Sequence, residues 1–167
     1  KDFFGESHRL QSSSFNAERI EGYDISNLGT GSSVGSMVVF MYGAADKSEY
    51  RKFKIKTVEG QSDVARLEEV LTRRLKHDDW PLQQIFIIVG GLQLVNTAKR
   101  VVKAAGVEVP VVGIAKGPDR KKNEFILGTK KRDVILWVSE NKEVLVRVRD
   151  EAHRFAVKYQ RQTRKLK

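Results

Sequence analysis

The sequence predicts an α/β domain built on one mixed sheet, and three features of its hydrophobic pattern carry that prediction. Three short β-rich runs separated by glycine-containing turns come first, an amphipathic stretch follows, and two continuous apolar runs then flank a second amphipathic stretch. Hairpin-linked strands are antiparallel and strands joined through a helix are parallel, so a single sheet holds both kinds. With 167 residues, 40% of them hydrophobic, the chain suffices for one core and is short for two.

Residues 1–17, with Ser12-Ser13-Ser14 and no sustained period, read as a lead-in or linker, and the folded domain is expected over 18–167. Arg19 to Ile25, Val34 to Tyr42 and Glu49 to Lys56 are the runs of an antiparallel meander. Val64, Leu67, Leu71 and Leu75 recur at spacings of three and four, which predicts a helix from Ser62 to about His77 with Ser62 and Asp63 suited to its start. Gln84 to Val89 is apolar without alternation and stops at Gly90-Gly91, as a strand covered on both faces does. Val95, Ala98, Val101, Val102 and Ala105 predict a second helix ending at Gly106, and Val109 to Ile114 another buried strand. Phe125 to Leu127 and Val134 to Val138 are expected to form a small hairpin. Leu145, Val148, Ala152, Phe155, Ala156 and Tyr159 mark a long final helix whose basic tail, Arg161 to Lys167, is expected to fray. The result is a mixed five-stranded sheet, three antiparallel strands and then parallel ones, with helices on both faces. That is the element order of a ribonuclease H-like fold.

Thirty-one Lys and Arg against twenty-one Asp and Glu leave a net charge of +10, which favours an acidic partner such as nucleic acid over a small neutral ligand. Without cysteine there is neither a disulfide framework nor a thiolate metal site, so a bound metal must use carboxylate, imidazole or carbonyl. No apolar run approaches the roughly 20 residues that span a bilayer, and the opening Lys1-Asp2-Phe3-Phe4-Gly5 lacks a signal-peptide pattern. A soluble cytoplasmic protein with no membrane contact is the expectation.

Phosphodiester hydrolysis by Mg²⁺ or Mn²⁺ needs oxygen ligands that converge, and the central first and fourth strands of such a sheet bring their acids together. The first strand supplies Asp24, an acid in a strand read as buried, costly there unless paired or metal-bound. Its alternative is a strand-end cap. The companion position at the end of the fourth strand is Val89, which offers no ligand and reads as core. His153 lies on the flank of the apolar stripe of the last helix, where it can reach a site over the sheet or serve structure alone. Asp63 by itself reads as a first-turn acid favoured by the helix dipole. His8 and His77 sit in presumed loop or helix-end settings. The basic pieces Lys116 to Lys122, with Lys116, Arg120, Lys121 and Lys122, then Lys130-Lys131-Arg132, and Arg161 to Lys167 are candidates to follow a phosphate backbone, and Arg154 beside His153 joins them.

The chain resembles the nuclease domain of bacterial excinuclease C (UvrC) from Arg19 to Arg164. The matching runs are Arg19-Ile20-Glu21, Tyr23 to Asn27, Gly35 to Phe40, Tyr50 to Ile55, Glu69-Val70-Leu71 with Arg73-Arg74, Val111 to Gly117 and Arg149 to Ala156. The resemblance implies a DNA-repair endonuclease of ribonuclease H-like fold that incises on the 5′ side of a lesion. It implies action with UvrB on duplex DNA that UvrA has loaded, using a divalent metal. It carries the first-strand ligand onto Asp24, the histidine onto His153 and a further acid onto Asp63. Where the family has Asp-Gly-Gly-Lys-Gly-Gln, this chain has Val89-Gly90-Gly91-Leu92-Gln93-Leu94, so one ligand acid is missing. Its loss is expected to weaken metal binding and slow cleavage, leaving a catalytically impaired DNA-binding or partner-binding module as the alternative. Glu69 and Glu151 are the nearby acids considered as substitutes.

Overall fold

The computed structural model describes residues 15–27, 33–56, 62–81, 84–116 and 122–165. Strands β1 (Arg19–Asn27) and β2 (Ser33–Met41) pair antiparallel, from Arg19 against Met41 to Asn27 against Ser33. Tyr42 and Gly43, both at positive φ, turn the chain into the short β3 (Ala44–Ala45), and β4 (Arg51–Lys54) pairs with the other end of β2. On its second side β1 takes β5 (Ile85–Val89) in parallel, from Ile20 against Ile85 to Tyr23 against Ile88. Beyond it lie β6 (Val111–Lys116), parallel to β5, and β7 (Asn123–Leu127), antiparallel to β6. The mixed sheet and the central place of β1 agree with the sequence reading, but the strands among the described residues number seven, not five, because β3 and β7 join the sheet.

Helices α1 (Asp63–Leu75) and α2 (Leu92–Ala104) cover one face, and α3 (Arg132–Glu140) and α4 (Lys142–Lys165) cover the other. Val134 to Val138 therefore belong to α3 and form no hairpin with β7, which corrects the sequence expectation. Val134, Trp137 and Val138 are buried at helical spacing with Leu145. A β-branched and aromatic run this short fits either period, and its amphipathic contact with the sheet decides for the helix. The backbone of α4 is helical as far as Lys165, past the point where the basic tail was expected to fray. Phe15 meets Trp137 edge-on at 5.6 Å, and the Trp137 indole donates to Asn16 at 3.2 Å, so the packed chain reaches back to Phe15.

Two apolar clusters hold these layers together. Leu67, Val70 and Leu71 of α1 and Val95, Ala98 and Val101 of α2 pack with Tyr23, Phe86 and Ile88; Leu145, Val148 and Ala152 of α4 pack with Ile20, Ile85 and Ile87. Each fully buried Leu, Ile or Val contributes roughly 1.5–3 kcal/mol, so these clusters, more than local propensity, hold the helices in place. The alternation of β1 turns Ile20, Gly22 and Asp24 toward α4 and Glu21 and Tyr23 toward α1 and α2. Gly22 is small for a reason: a Cβ there would run into the Val148 side chain, so its absence lets α4 settle close to β1.

Candidate active site

Asp24 stands on the central strand directly past Tyr23, whose parallel partner is Ile88, so the next residues along the two strands are Asp24 and Val89. Both turn to the face that α4 covers. Ser36, opposite Asp24 on β2, donates to the Ala152 carbonyl at 3.0 Å and faces the Asp24 carbonyl at 3.4 Å, tying α4 to both strands. One residue further along α4, His153 places Nδ1 3.2 Å from the Asp24 carboxylate. The Asp24 side chain is only 12% exposed, whereas His153 is 69% exposed, so the pair runs from the protein interior to solvent.

Burial pushes the Asp24 carboxyl up from its ordinary value, and the hydrogen bond and charge of His153 work against that shift. The negative field of Asp63 adds to the rise, which places that acid within electrostatic reach of the site. Asp63 opens α1, where Ser62 caps the Ala65 N–H and Arg66 lies 3.0 Å from the Asp63 carboxylate. It thus serves the helix end and the field at Asp24 together. Sequence reasoning brought Asp24, His153 and Asp63 forward, and the fold gathers Asp24 and His153 into contact with Asp63 at longer range.

Val89 is half-buried against the α4-side core. The two acids considered as its substitutes are engaged elsewhere: Glu69 accepts from the Lys56 N–H at 2.7 Å and Arg73 at 3.2 Å, and Glu151 from Tyr50 and Arg154. Arg154 holds the Glu151 carboxyl below its usual value. Among the described residues no three His, Asp or Glu side chains gather as a metal-holding group. Asp24 and His153 nevertheless suit a divalent cation as a two-donor set, because a desolvated carboxylate with an imidazole beside it gains from a bound positive charge.

The basic candidates fall into two places. Lys122 is exposed where β7 begins against the end of β6, on the side of the sheet that holds Asp24, and Arg154 is exposed one residue past His153. Arg120, Lys121 and the Lys116 side chain lie outside the described residues. Lys130, Lys131 and Arg132 emerge where Gly128 meets Val111, at the opposite end of the sheet, so these pieces do not form one continuous track with Lys122. His77 stacks on Trp80 at 3.9 Å, a structural setting, and His8 lies outside the described residues. Sequence reasoning missed Ser36 and Tyr50, which fasten α4, and Arg149, whose buried NH1 has no acceptor among the described residues. Polar residues in a β-rich run and on a long helix carried no signal for them.

A mixed sheet with a buried acid on its central strand, a histidine reaching that acid from the covering helix and helices on both faces defines a ribonuclease H-like α/β domain. The chain belongs to the UvrC RNase H endonuclease domain family, whose model matches residues 9–157. It is similar to the UvrABC system protein C of Caldicellulosiruptor saccharolyticus, 40% identical over 156 residues, covering 89% of this chain and 25% of that protein. The protein of that name from Streptococcus thermophilus is 42% identical over 151 residues, covering 87% of this chain and 25% of its own length. The chain thus spans about a quarter of the curated relatives it matches. Among solved structures, Ciona intestinalis endonuclease V in complex with inosine-containing DNA aligns with TM-score 0.47 and 16% identity over 68% of this chain and 57% of that one.

Proposed function

We propose that this domain hydrolyses a phosphodiester of lesion-bearing duplex DNA in nucleotide excision repair, on the 5′ side of the lesion, and that it does so slowly. The single observation that carries this reading is the Asp24–His153 contact at the end of the central strands. Asp24 and His153 are the residues that would hold Mg²⁺ or Mn²⁺, which supplies an activated water and charge stabilisation at the leaving oxygen. A carboxylate accepting from Nδ1 selects the tautomer whose Nε2 is unprotonated, so in the metal-free protein His153 turns one lone pair outward, which serves either as a metal donor or, where no metal takes it, to accept and return a proton. Asp63 adds negative field at the site, while Lys122 and Arg154 sit where a DNA backbone would pass. UvrB and the UvrA-loaded complex are the proposed partners, in the cytoplasm; no helix among the described residues is long and apolar enough to cross a membrane.

Val89 favours a second reading, a binding module that keeps the fold and cuts poorly. Calorimetric titration with Mn²⁺ and a cleavage assay on duplex DNA, each run on this chain and on Val89→Asp, separate the two. The nuclease reading expects Mn²⁺ binding that requires Asp24, cutting abolished by Asp24→Asn and cutting reduced about 10²–10⁴-fold by His153→Ala. Binding and cutting that appear only in Val89→Asp would establish the binding module instead.

A further inference from the structure

Arg154 follows His153 on α4, and its guanidinium is held along one edge. Nε donates to one Glu151 oxygen at 2.8 Å and Nη2 to the other at 2.7 Å, so the two groups meet as a fork. Glu151 is fixed in turn, because the Tyr50 hydroxyl donates to it at 2.8 Å and the Tyr50 ring meets Phe155 edge-on at 5.1 Å. Tyr50 immediately precedes β4, so these contacts fasten the guanidinium to the β4 flank of the Asp24–His153 pair.

A guanidinium carries five N–H donors, and this fork uses two of them. Nη1 and the second hydrogen of Nη2 form another edge, a second fork of the shape that takes two oxygens of a phosphate. Among the described residues Nη1 has no partner. The Arg154 side chain is 49% exposed and that of Glu151 only 16%, so the pair turns its cationic end to solvent and keeps its anionic end against the protein. A half-exposed pair of this kind adds little to stability. What it supplies is a fixed direction for a long, flexible cation.

We propose that Glu151 and Tyr50 are positioning residues for substrate, holding Arg154 beside His153 with its second fork set to take two oxygens of one phosphate in the DNA strand that crosses the β4 flank. The identity of that phosphate rests on the nuclease reading; the fork itself does not. On this account an acid strengthens the binding of a polyanion. Charge alone gives the opposite sign, since a carboxylate beside the path of DNA repels it and its removal tightens binding, by about 2-fold for one screened surface charge. Ordering a long side chain in advance changes affinity by about 2- to 10-fold, so positioning outweighs repulsion and the sign of the effect separates the two.

The test is duplex-DNA binding by fluorescence anisotropy over a range of salt, in EDTA so that cleavage plays no part. It compares this chain with Glu151→Gln, Tyr50→Phe, Arg154→Ala and the two double variants that carry Arg154→Ala. Arg154→Ala is expected to lower the salt slope of binding by about 1. Glu151→Gln keeps that slope yet binds at least about 2-fold more weakly, because glutamine offers Arg154 one acceptor where glutamate offers two. Tyr50→Phe weakens binding in the same direction and by less. In the Arg154→Ala background neither change weakens binding further. Tighter or unchanged binding by Glu151→Gln overturns the proposal, as does equal weakening in both backgrounds, which marks Glu151 as structural only. If Glu151→Gln does not fold, Tyr50→Phe decides by the same signs. A salt slope that Arg154→Ala leaves unchanged overturns the proposal and spares the nuclease reading, whereas failure of the unmutated chain to bind duplex DNA overturns both.

Discussion

Two carboxylates on the same strand, Glu21 and Asp24, live in opposite regimes. Glu21 is fully buried and saturated: Tyr23 donates at 2.6 Å, Arg74 through two nitrogens at 2.9 and 2.8 Å, and Arg19 at 2.9 Å. Arg74 also donates to the Pro81 carbonyl at 2.7 Å and lies over Trp80, so this cluster ties β1, α1 and the segment before β5 into one body. Among the described residues Asp24 has one ionisable side chain bonded to it, His153, and the acid of Asp63 in its field. A carboxylate whose lone pairs are filled by fixed donors is structural; one left desolvated with a single imidazole is poised to take a cation. Burial alone would not have separated them.

The comparison breaks most sharply at its structural end. Arg74→Met leaves the Glu21 charge buried with its main partner gone, and chemical denaturation should show a loss of about 3–5 kcal/mol. Gly22→Ala comes next: the new methyl drives into Val148, with an expected cost of about 1–3 kcal/mol and displacement of α4 that carries His153 off Asp24. Loss of cleavage with the fold retained by circular dichroism would be its signature.

Asp24→Asn is expected to move stability the other way, and only above a threshold pH. Because burial raises the folded carboxyl, the native state holds this proton over a pH range in which the unfolded chain has released it. Stability therefore falls as pH rises through that window and stays lower above it. Asp24→Asn should raise Tm at pH 7 and leave it unchanged near pH 3, where Asp24 is protonated in both states. A drop in Tm at pH 7 would show that the contact with His153 outweighs desolvation. The smallest effect belongs to Arg154→Ala, which opens a half-exposed ion pair with Glu151 and should change stability by less than about 1 kcal/mol. If Arg154 contacts a phosphate, the same variant lowers the salt slope of DNA binding by about 1.

The candidate site was legible in part for a definite reason. Asp24 stood out as an acid inside a β-rich run, and His153 as a polar residue on the flank of an amphipathic stripe, both local patterns. Val89 was legible only as an absence, against the motif the family carries at that place. Arg149 and Glu21 were not legible at all, since Arg149 looks like any basic residue on a long helix and Glu21 like any strand-edge acid. What separates them is which donors and acceptors meet them in space.

The sequence by itself determined the order of the main elements as far as β6, the helical periods of α1, α2 and α4, the unalternating burial of β5 and the positive charge. Those properties follow from residues a few places apart, within reach of the 3.6 and 2 residue periods. The tertiary structure decided the rest: that Val134 to Val138 coil into a helix, that β7 closes the far edge, and that His153 meets Asp24 across 129 residues of chain. Each depends on the face a segment buries, and only packing against the whole sheet settles that.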